Sequence, residues 1–278
     1  MLAGFRFYCG PVTFRGDDPG LDLAALQALR PTTVRTDAVA LTAIGDQISE
    51  HLHHHDGYVA FSGGKDSLVV LDLVRRVEPD VPVVFFDSGL EYPETYDYIG
   101  DLAREGSLDL HRIPAEPPLL DALAASGLWD HRAASSGAQL PDLHEVLISG
   151  PARRAHELLG PGELWGVRAD ESAGRRAMYT RGGRRDGIVE RADGTIAYGP
   201  AWNWSTADVW SHIRRHDLPV NPVYAKLVAL GVPERHQRIS HVIDGNHLER
   251  GRLTWLRRGW PALFEQLAHT LPRIRQMT

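Results

Sequence analysis

A chain of 278 residues that is 43% hydrophobic and 24% charged can fill a core, which excludes a disordered, collagenous or disulfide-stapled protein. Its one cysteine, Cys9, cannot by itself make an internal disulfide, a zinc knuckle or an iron–sulfur cluster. No run reaches the ~18 apolar residues of a membrane span and the first ten residues lack a signal-peptide core, so a cytoplasmic protein with no membrane contact is expected. The net charge of −6 is unevenly spread: residues 80–150 carry 13 acids against 3 arginines, whereas residues 151–278 carry 20 basic side chains against 13 acids. A basic half inside an acidic protein suggests a phosphate-bearing partner close to it.

In chain order, residues 16–20 read as a turn and 21–29 as a short leucine helix. A helix carrying Val39, Leu41, Ile44 and Ile48 runs into the histidines His51, His53, His54 and His55. Residues 58–61 form a short apolar run between turn signals and predict a buried strand; 66–77 predict a crossover helix with apolar residues on every side. Strands at 81–86 and 108–113 flank a helix at 92–104. This alternation predicts an α/β protein with a doubly wound, mostly parallel sheet. Further on, 143–159 read as helix and 164–167 as strand. An arginine- and glycine-rich loop spans 175–191 and leads to an Asp193-Gly194 hairpin turn. Ser205 opens a capped helix to His216, and 248–267 form a basic helical tail. The expected organisation is an N-terminal helical segment 1–55, a catalytic domain 56–230 and a C-terminal helical tail 231–278.

The chemistry concentrates in Phe61-Ser62-Gly63-Gly64-Lys65-Asp66-Ser67, directly between a predicted strand and helix. Two glycines allow a tight turn and close approach of the backbone to a ligand. The helix start offers free N–H groups and the positive end of its dipole to an anion. Ser62 and Ser67 add hydroxyls, Lys65 a compact charge, and Asp66 could hold Mg2+ through water. The spacing is not that of a Walker A loop.

This string resembles the pyrophosphate loop of the N-type ATP pyrophosphatase superfamily, and three further segments resemble the phosphoadenosine-phosphosulfate (PAPS) reductase-like group within it. They are Phe86-Asp87-Ser88-Gly89-Leu90-Glu91-Tyr92-Pro93-Glu94-Thr95, Trp165-Gly166-Val167-Arg168-Ala169-Asp170-Glu171-Ser172 followed by Arg175 and Arg176, and Trp204 to Trp210 followed by His216 to Tyr224. The likeness covers about residues 56–226. It implies an adenine nucleotide alpha-hydrolase-like fold that binds ATP and Mg2+. Its nucleotide would be held by 61–67, Asp87, Ser88, Gly89, Glu91, Gly166, Arg168, Glu171 and Arg176, with Lys65, Asp66, Arg168 and Arg175 as the catalytic set.

Reductases of this group end in a cysteine-bearing tail, and no cysteine follows Tyr224 here. That departure turns the expectation away from PAPS reduction. It points to an ATP pyrophosphatase that adenylates an acceptor for sulfur transfer, similar to the SspD and DndC proteins of DNA phosphorothioation, with no iron–sulfur cluster. The partners expected on that reading are a cysteine desulfurase or other sulfur donor and a DNA-modification complex, with weak or indirect nucleic-acid contact and a possible homodimer. Adenylation or thiolation of a small molecule or tRNA, and a non-catalytic nucleotide-binding subunit, are the alternatives.

Other features have plainer readings. The histidine run suits a helix C-terminus. His212 and His216 have zinc-compatible spacing but no third ligand of a known pattern, and His241, Asp244 and His247 are weaker still. Trp204 and Trp210 read as helix packing. Arg181, Arg184, Arg185 and Arg191 are either a solvated loop or a surface for a nucleic acid or an acidic protein.

Overall fold

The computed structural model describes residues 38–127, 129–130, 142–240 and 252–277. Cys9, the 21–29 helix, and His241, Asp244 and His247 lie outside them. Helix α1 (Ala38–His54) leads into β1 (Gly57–Ala60), α2 (Lys65–Arg75), β2 (Val83–Asp87), α3 (Pro93–Gly106), β3 (Leu110–Pro114) and α4 (Leu119–Ala125). A π-helical turn, Glu145–Ser149, runs into α5 (Gly150–Leu159), followed by β4 (Gly162–Leu164) and α6 (Ala173–Thr180). The hairpin strands β5 (Ile188–Glu190) and β6 (Ile196–Tyr198), and helices α7 (Thr206–Arg215), α8 (Val223–Ala229), α9 (Arg252–Gly259) and α10 (Pro261–Thr270), complete the described elements.

The six strands form one sheet in the order β3-β2-β1-β4-β6-β5, every neighbouring pair parallel except β5 with β6. The mostly parallel α/β expectation is therefore met, and the Asp193-Gly194 turn does join an antiparallel pair. From β1 the chain steps outward through β2 to β3, then returns to the other side of β1 as β4. The crevice between β1 and β4 is thus the topological switch point, where open α/β sheets bind ligands.

Alternation along β1 assigns its side chains to two cores. Val59 enters the main core with Ile48 of α1 and Val69, Val70 and Val74 of α2, while Tyr58 joins Val84, Ile113 and Ala155 of α5. Helix α2 is buried from Ser67 to Arg75, as its all-round apolar sequence requires, and each fully buried valine or leucine contributes ~1.5–3 kcal/mol. Strands β1 and β4 begin at facing glycines: a Cβ on Gly57 would stand 1.7 Å from the Gly162 carbonyl oxygen. Such an approach is open only to glycine.

Two sequence expectations need correcting. Strand β4 ends at Leu164, because the chain leaves the sheet after Trp165, whose amide still bonds Tyr198 O at 3.0 Å, and Gly166 packs on the head of α2. The arginine-rich stretch is not loop throughout. Ser172 caps α6 by accepting from the Arg175 amide at 3.1 Å, so Arg175 and Arg176 lie on a helix, Arg181–Gly183 form a 3-10 turn, Ile188–Glu190 belong to β5, and 184–187 match the loop reading. Helix α7 carries the anticipated cap, Ser205 and Asp208 each bonding the other's backbone N–H. Trp204 and Trp210 are core residues. His212 is fully buried, its Nε2 2.7 Å from Asp72 Oδ2 on α2, and among the described residues no group of three His, Cys, Asp or Glu side chains could hold a metal. No described helix is long and apolar enough to cross a membrane.

Candidate functional site: the turn between β1 and α2

Strand β1 ends as Phe61 donates its amide to Val84 O at 2.8 Å and buries its ring against Tyr98. The chain then reverses at Gly63, whose φ of +74° is a left-handed conformation that disfavours other residues. Gly64 is the N-cap of α2 and supplies no side chain to the first amides. Ser67, one turn in, ties the loop shut: its Oγ donates to Gly64 O at 3.0 Å and accepts the Ser62 amide at 3.2 Å. The result is an open helix N-terminus at the switch point, with first-turn amides that have no intrahelical acceptor.

Three charges meet there. Asp66 Oδ2 takes Lys65 Nζ at 2.7 Å, and Asp66 Oδ1 takes Arg168 Nε at 2.7 Å. Arg168 comes from the loop after β4 and is only 2% exposed. Its other nitrogens donate to Trp204 O at 2.8 Å and Thr206 Oγ1 at 3.2 Å, so each of the three guanidinium nitrogens is engaged. Burial pushes the Asp66 carboxyl up, but Lys65 and Arg168 outweigh it and hold the group below the usual carboxylate range. Burial likewise acts to lower the Lys65 ammonium, and Tyr224 together with Asp66 raises it above its ordinary value. All three groups are charged at neutral pH, and the cluster carries one net positive charge facing the helix head. Both Asp66 oxygens are already engaged.

Gly166 explains how the β4 loop comes so near. A Cβ there would lie 2.7 Å from Ser67 N and 2.8 Å from the Asp66 carbonyl carbon, both backbone. Just beyond, the Glu171 carboxylate accepts the Arg168 amide at 2.9 Å and pairs with Arg175. Arg176 is exposed on the next position of α6, and Arg184 is paired with Asp186 and Glu190.

The remaining sequence candidates form a second cluster, at the end of the neighbouring strand β2. Asp87 is buried and accepts from the Gly89 amide at 2.8 Å, Tyr96 Oη at 2.8 Å and Arg112 Nε at 2.5 Å. Ser88 donates to Glu91 at 2.7 Å and accepts the Leu90 amide, and Gly89 turns at φ +78°. The structure thus joins Lys65, Asp66 and Arg168 in one ionic cluster, links it through the Arg168 backbone amide to the Glu171–Arg175 pair, and sets Asp87, Ser88, Gly89 and Glu91 at the end of the neighbouring strand. Sequence reasoning gave no role to the residues beneath the turn, Thr95, Asn221 and Tyr224. They stood inside quoted motifs, but the signal that would single them out is a contact across more than a hundred residues.

Strand order and turn together define the class: an α/β protein with an open helix N-terminus at its switch point, a place whose amides and dipole suit an anion. Within that class, the chain belongs to the phosphoadenosine phosphosulfate reductase domain family, which matches residues 57–231. The phosphoadenosine 5′-phosphosulfate reductase of Xylella fastidiosa (strain M12) is 30% identical over 177 residues, 62% of this chain and 70% of that one. That of Alkalilimnicola ehrlichii is 29% identical over 202 residues, 72% of this chain and 77% of that one. The crystal structure of PAPS reductase from Candida auris, a phosphate complex, covers 72% of this chain and 95% of that chain at 21% identity with a TM-score of 0.47.

These matches overturn the expected function. The reading as an ATP pyrophosphatase of DNA phosphorothioation rested on a cysteine missing after Tyr224, whereas the curated relatives are PAPS reductases. A missing thiol bears on one nucleophile and carries no information about which nucleotide the turn receives.

Proposed function

We propose that the chain binds 3′-phosphoadenosine 5′-phosphosulfate, with the 5′-phosphosulfate on the turn from Gly63 to Ser67, and presents its sulfur to a thiol. The observation that carries this is the half-buried Lys65–Asp66–Arg168 cluster at the helix head. It supplies one net positive charge for an anion seated at the turn, and such preorganised charge acts strongly in a water-poor site. The names of the curated relatives support the nucleotide's identity.

In the reaction, a thiolate attacks sulfur and the S–O bond to the 5′-phosphate breaks. The electron pair leaves on the phosphate oxygen, so adenosine 3′,5′-bisphosphate departs and a thiosulfonate remains. A second thiol then releases sulfite and forms a disulfide. The Lys65 ammonium and the first-turn amides of α2 after that of Lys65 stabilise the charge gathering on the leaving phosphate. Arg168 holds Asp66, and Asp66 holds Lys65 in place. Magnesium brought by a nucleotide would meet Asp66 only through water, since both carboxylate oxygens are taken. The thiol comes from Cys9, the sequence's one cysteine, or from an external dithiol.

Calorimetric titration with this nucleotide, paired with an assay for the bisphosphate under dithiothreitol, tests the proposal. Binding should weaken ~10- to 150-fold in Lys65→Ala, the loss of a charge-assisted contact. Bisphosphate release that survives in Cys9→Ser assigns the thiol to the external dithiol. Absence of binding, with tight ATP binding and steady pyrophosphate release instead, would refute it.

A further inference from the structure

The first amide of α2 is not offered to the anion site. Lys65 N donates to the hydroxyl of Tyr224 at 3.0 Å, from a residue 159 positions away in sequence. Tyr224 is 3% exposed, its ring set edge-on against Trp210 at 5.6 Å. Three residues earlier, Asn221 is 1% exposed and donates to Gly63 O at 3.3 Å and Thr95 Oγ1 at 3.1 Å, while its Oδ1 accepts the Val223 amide at 3.0 Å. The start of α8 therefore supports the turn from below at both ends, Gly63 through Asn221 and Lys65 through Tyr224.

The two contacts differ in what they leave over. A phenol oxygen that accepts one hydrogen bond still carries its own proton. Among the described residues, no hydrogen bond donated by the Tyr224 hydroxyl is present, although the oxygen is buried 3.6 Å from the position a Gly64 side chain would start. Burial raises the phenol pKa, so the group is a donor at every working pH. The hydroxyl thus sits at the head of α2, bonded to its first amide and next to Gly64.

We propose that Tyr224 completes the oxyanion cradle at the head of α2, absorbing the Lys65 amide and offering its own proton to a phosphate or sulfate oxygen of the ligand. The identity of that ligand as a phosphosulfate nucleotide rests on the function proposed above. The cradle itself does not, because any tetrahedral oxyanion presents the same acceptor oxygens.

Inorganic pyrophosphate is the probe, titrated calorimetrically into wild type and Tyr224→Phe, with a thermal melt of each. The expected result is a ~10- to 150-fold loss of pyrophosphate affinity, the size of one charge-assisted hydrogen bond, with adenosine affinity unchanged. Site-specific replacement of Tyr224 by 3-fluorotyrosine separates donor from support and decides the question if the phenylalanine variant fails to fold. A more acidic phenol is a better donor and a poorer acceptor, so anion binding should tighten. Pyrophosphate affinity within twofold of wild type in Tyr224→Phe, an equal loss for adenosine, or weaker binding in the fluorinated protein would overturn the assignment. Wild-type protein that binds pyrophosphate but not the phosphosulfate nucleotide would remove the proposed function and leave the role of Tyr224 standing.

Discussion

Replacing Arg168 by methionine removes the side chain on which the two halves of the site meet. Its guanidinium makes three hydrogen bonds, to Asp66, Trp204 O and Thr206, and is almost wholly buried. The Asp66 contact is charge-assisted and contributes ~1.5–3 kcal/mol, and stranding the buried Trp204 carbonyl costs a further ~1–3 kcal/mol. Methionine keeps part of the apolar stem's burial, so the net loss should be ~3–5 kcal/mol, the range for deleting one partner of a buried pair. At ~2–4 °C per kcal/mol for a chain near this size, the melting temperature should fall by ~6–20 °C. Nucleotide affinity should fall too, because Asp66 then turns wholly to Lys65 and draws the ammonium from the ligand. Arg168→Lys should recover little, since an ammonium cannot serve three acceptors held in the plane of a guanidinium. Differential scanning calorimetry and urea unfolding read the stability. A loss below ~1 kcal/mol would mean the pair behaves like a surface ion pair, and the buried-cluster account would fail.

Gly166→Ala should cost ~1–3 kcal/mol and weaken nucleotide binding, because its Cβ meets the backbone of Asp66 and Ser67. Gly174→Ala, within α6 and touching only Ser172 Oγ at 3.9 Å, should be neutral or stabilising by up to ~1 kcal/mol, and equal melts for the two variants would refute the close-packing role of Gly166. Burial, then His55, lowers His51 from 6.5 to about 4, so its contribution is present above pH 6.5 and lost as pH falls toward 4. Urea unfolding of wild type should show ~2–3 kcal/mol less stability from this group at pH 4.5 than at pH 7, and His51→Gln should flatten that difference. Trp260→Phe should keep the stack on Tyr92 but drop the bonds to Glu94, lowering stability by ~1–2 kcal/mol in thermal melts.

Local order was legible in the chain itself. The apolar run before Ser62 and the all-round apolar pattern after Asp66 predict β1 and α2, because a parallel strand and the helix covering it are both buried on every side. Gly63 and Gly64 between them mark the turn, and the Ser205–Asp208 cap and the Asp193-Gly194 hairpin follow from interactions within a few residues. The candidate site was legible to the extent that it is local, which covers Lys65, Asp66 and Ser67. What pairs with them was not. Arg168 and Tyr224 are 102 and 159 positions away from their partners, and only the return of β4 to the far side of β1 and the seating of α8 beneath the turn bring them in. The same holds for Gly166, whose requirement comes from the neighbouring backbone and not from any turn of its own. Asp66's partners were likewise tertiary in part: Lys65 is its neighbour in the chain, but only the fold brings the buried Arg168 to its other oxygen. Sequence determines where the backbone turns and which faces are apolar, because those are set by neighbours in the chain. Charge pairing is set by distance in space, which only the folded sheet order decides.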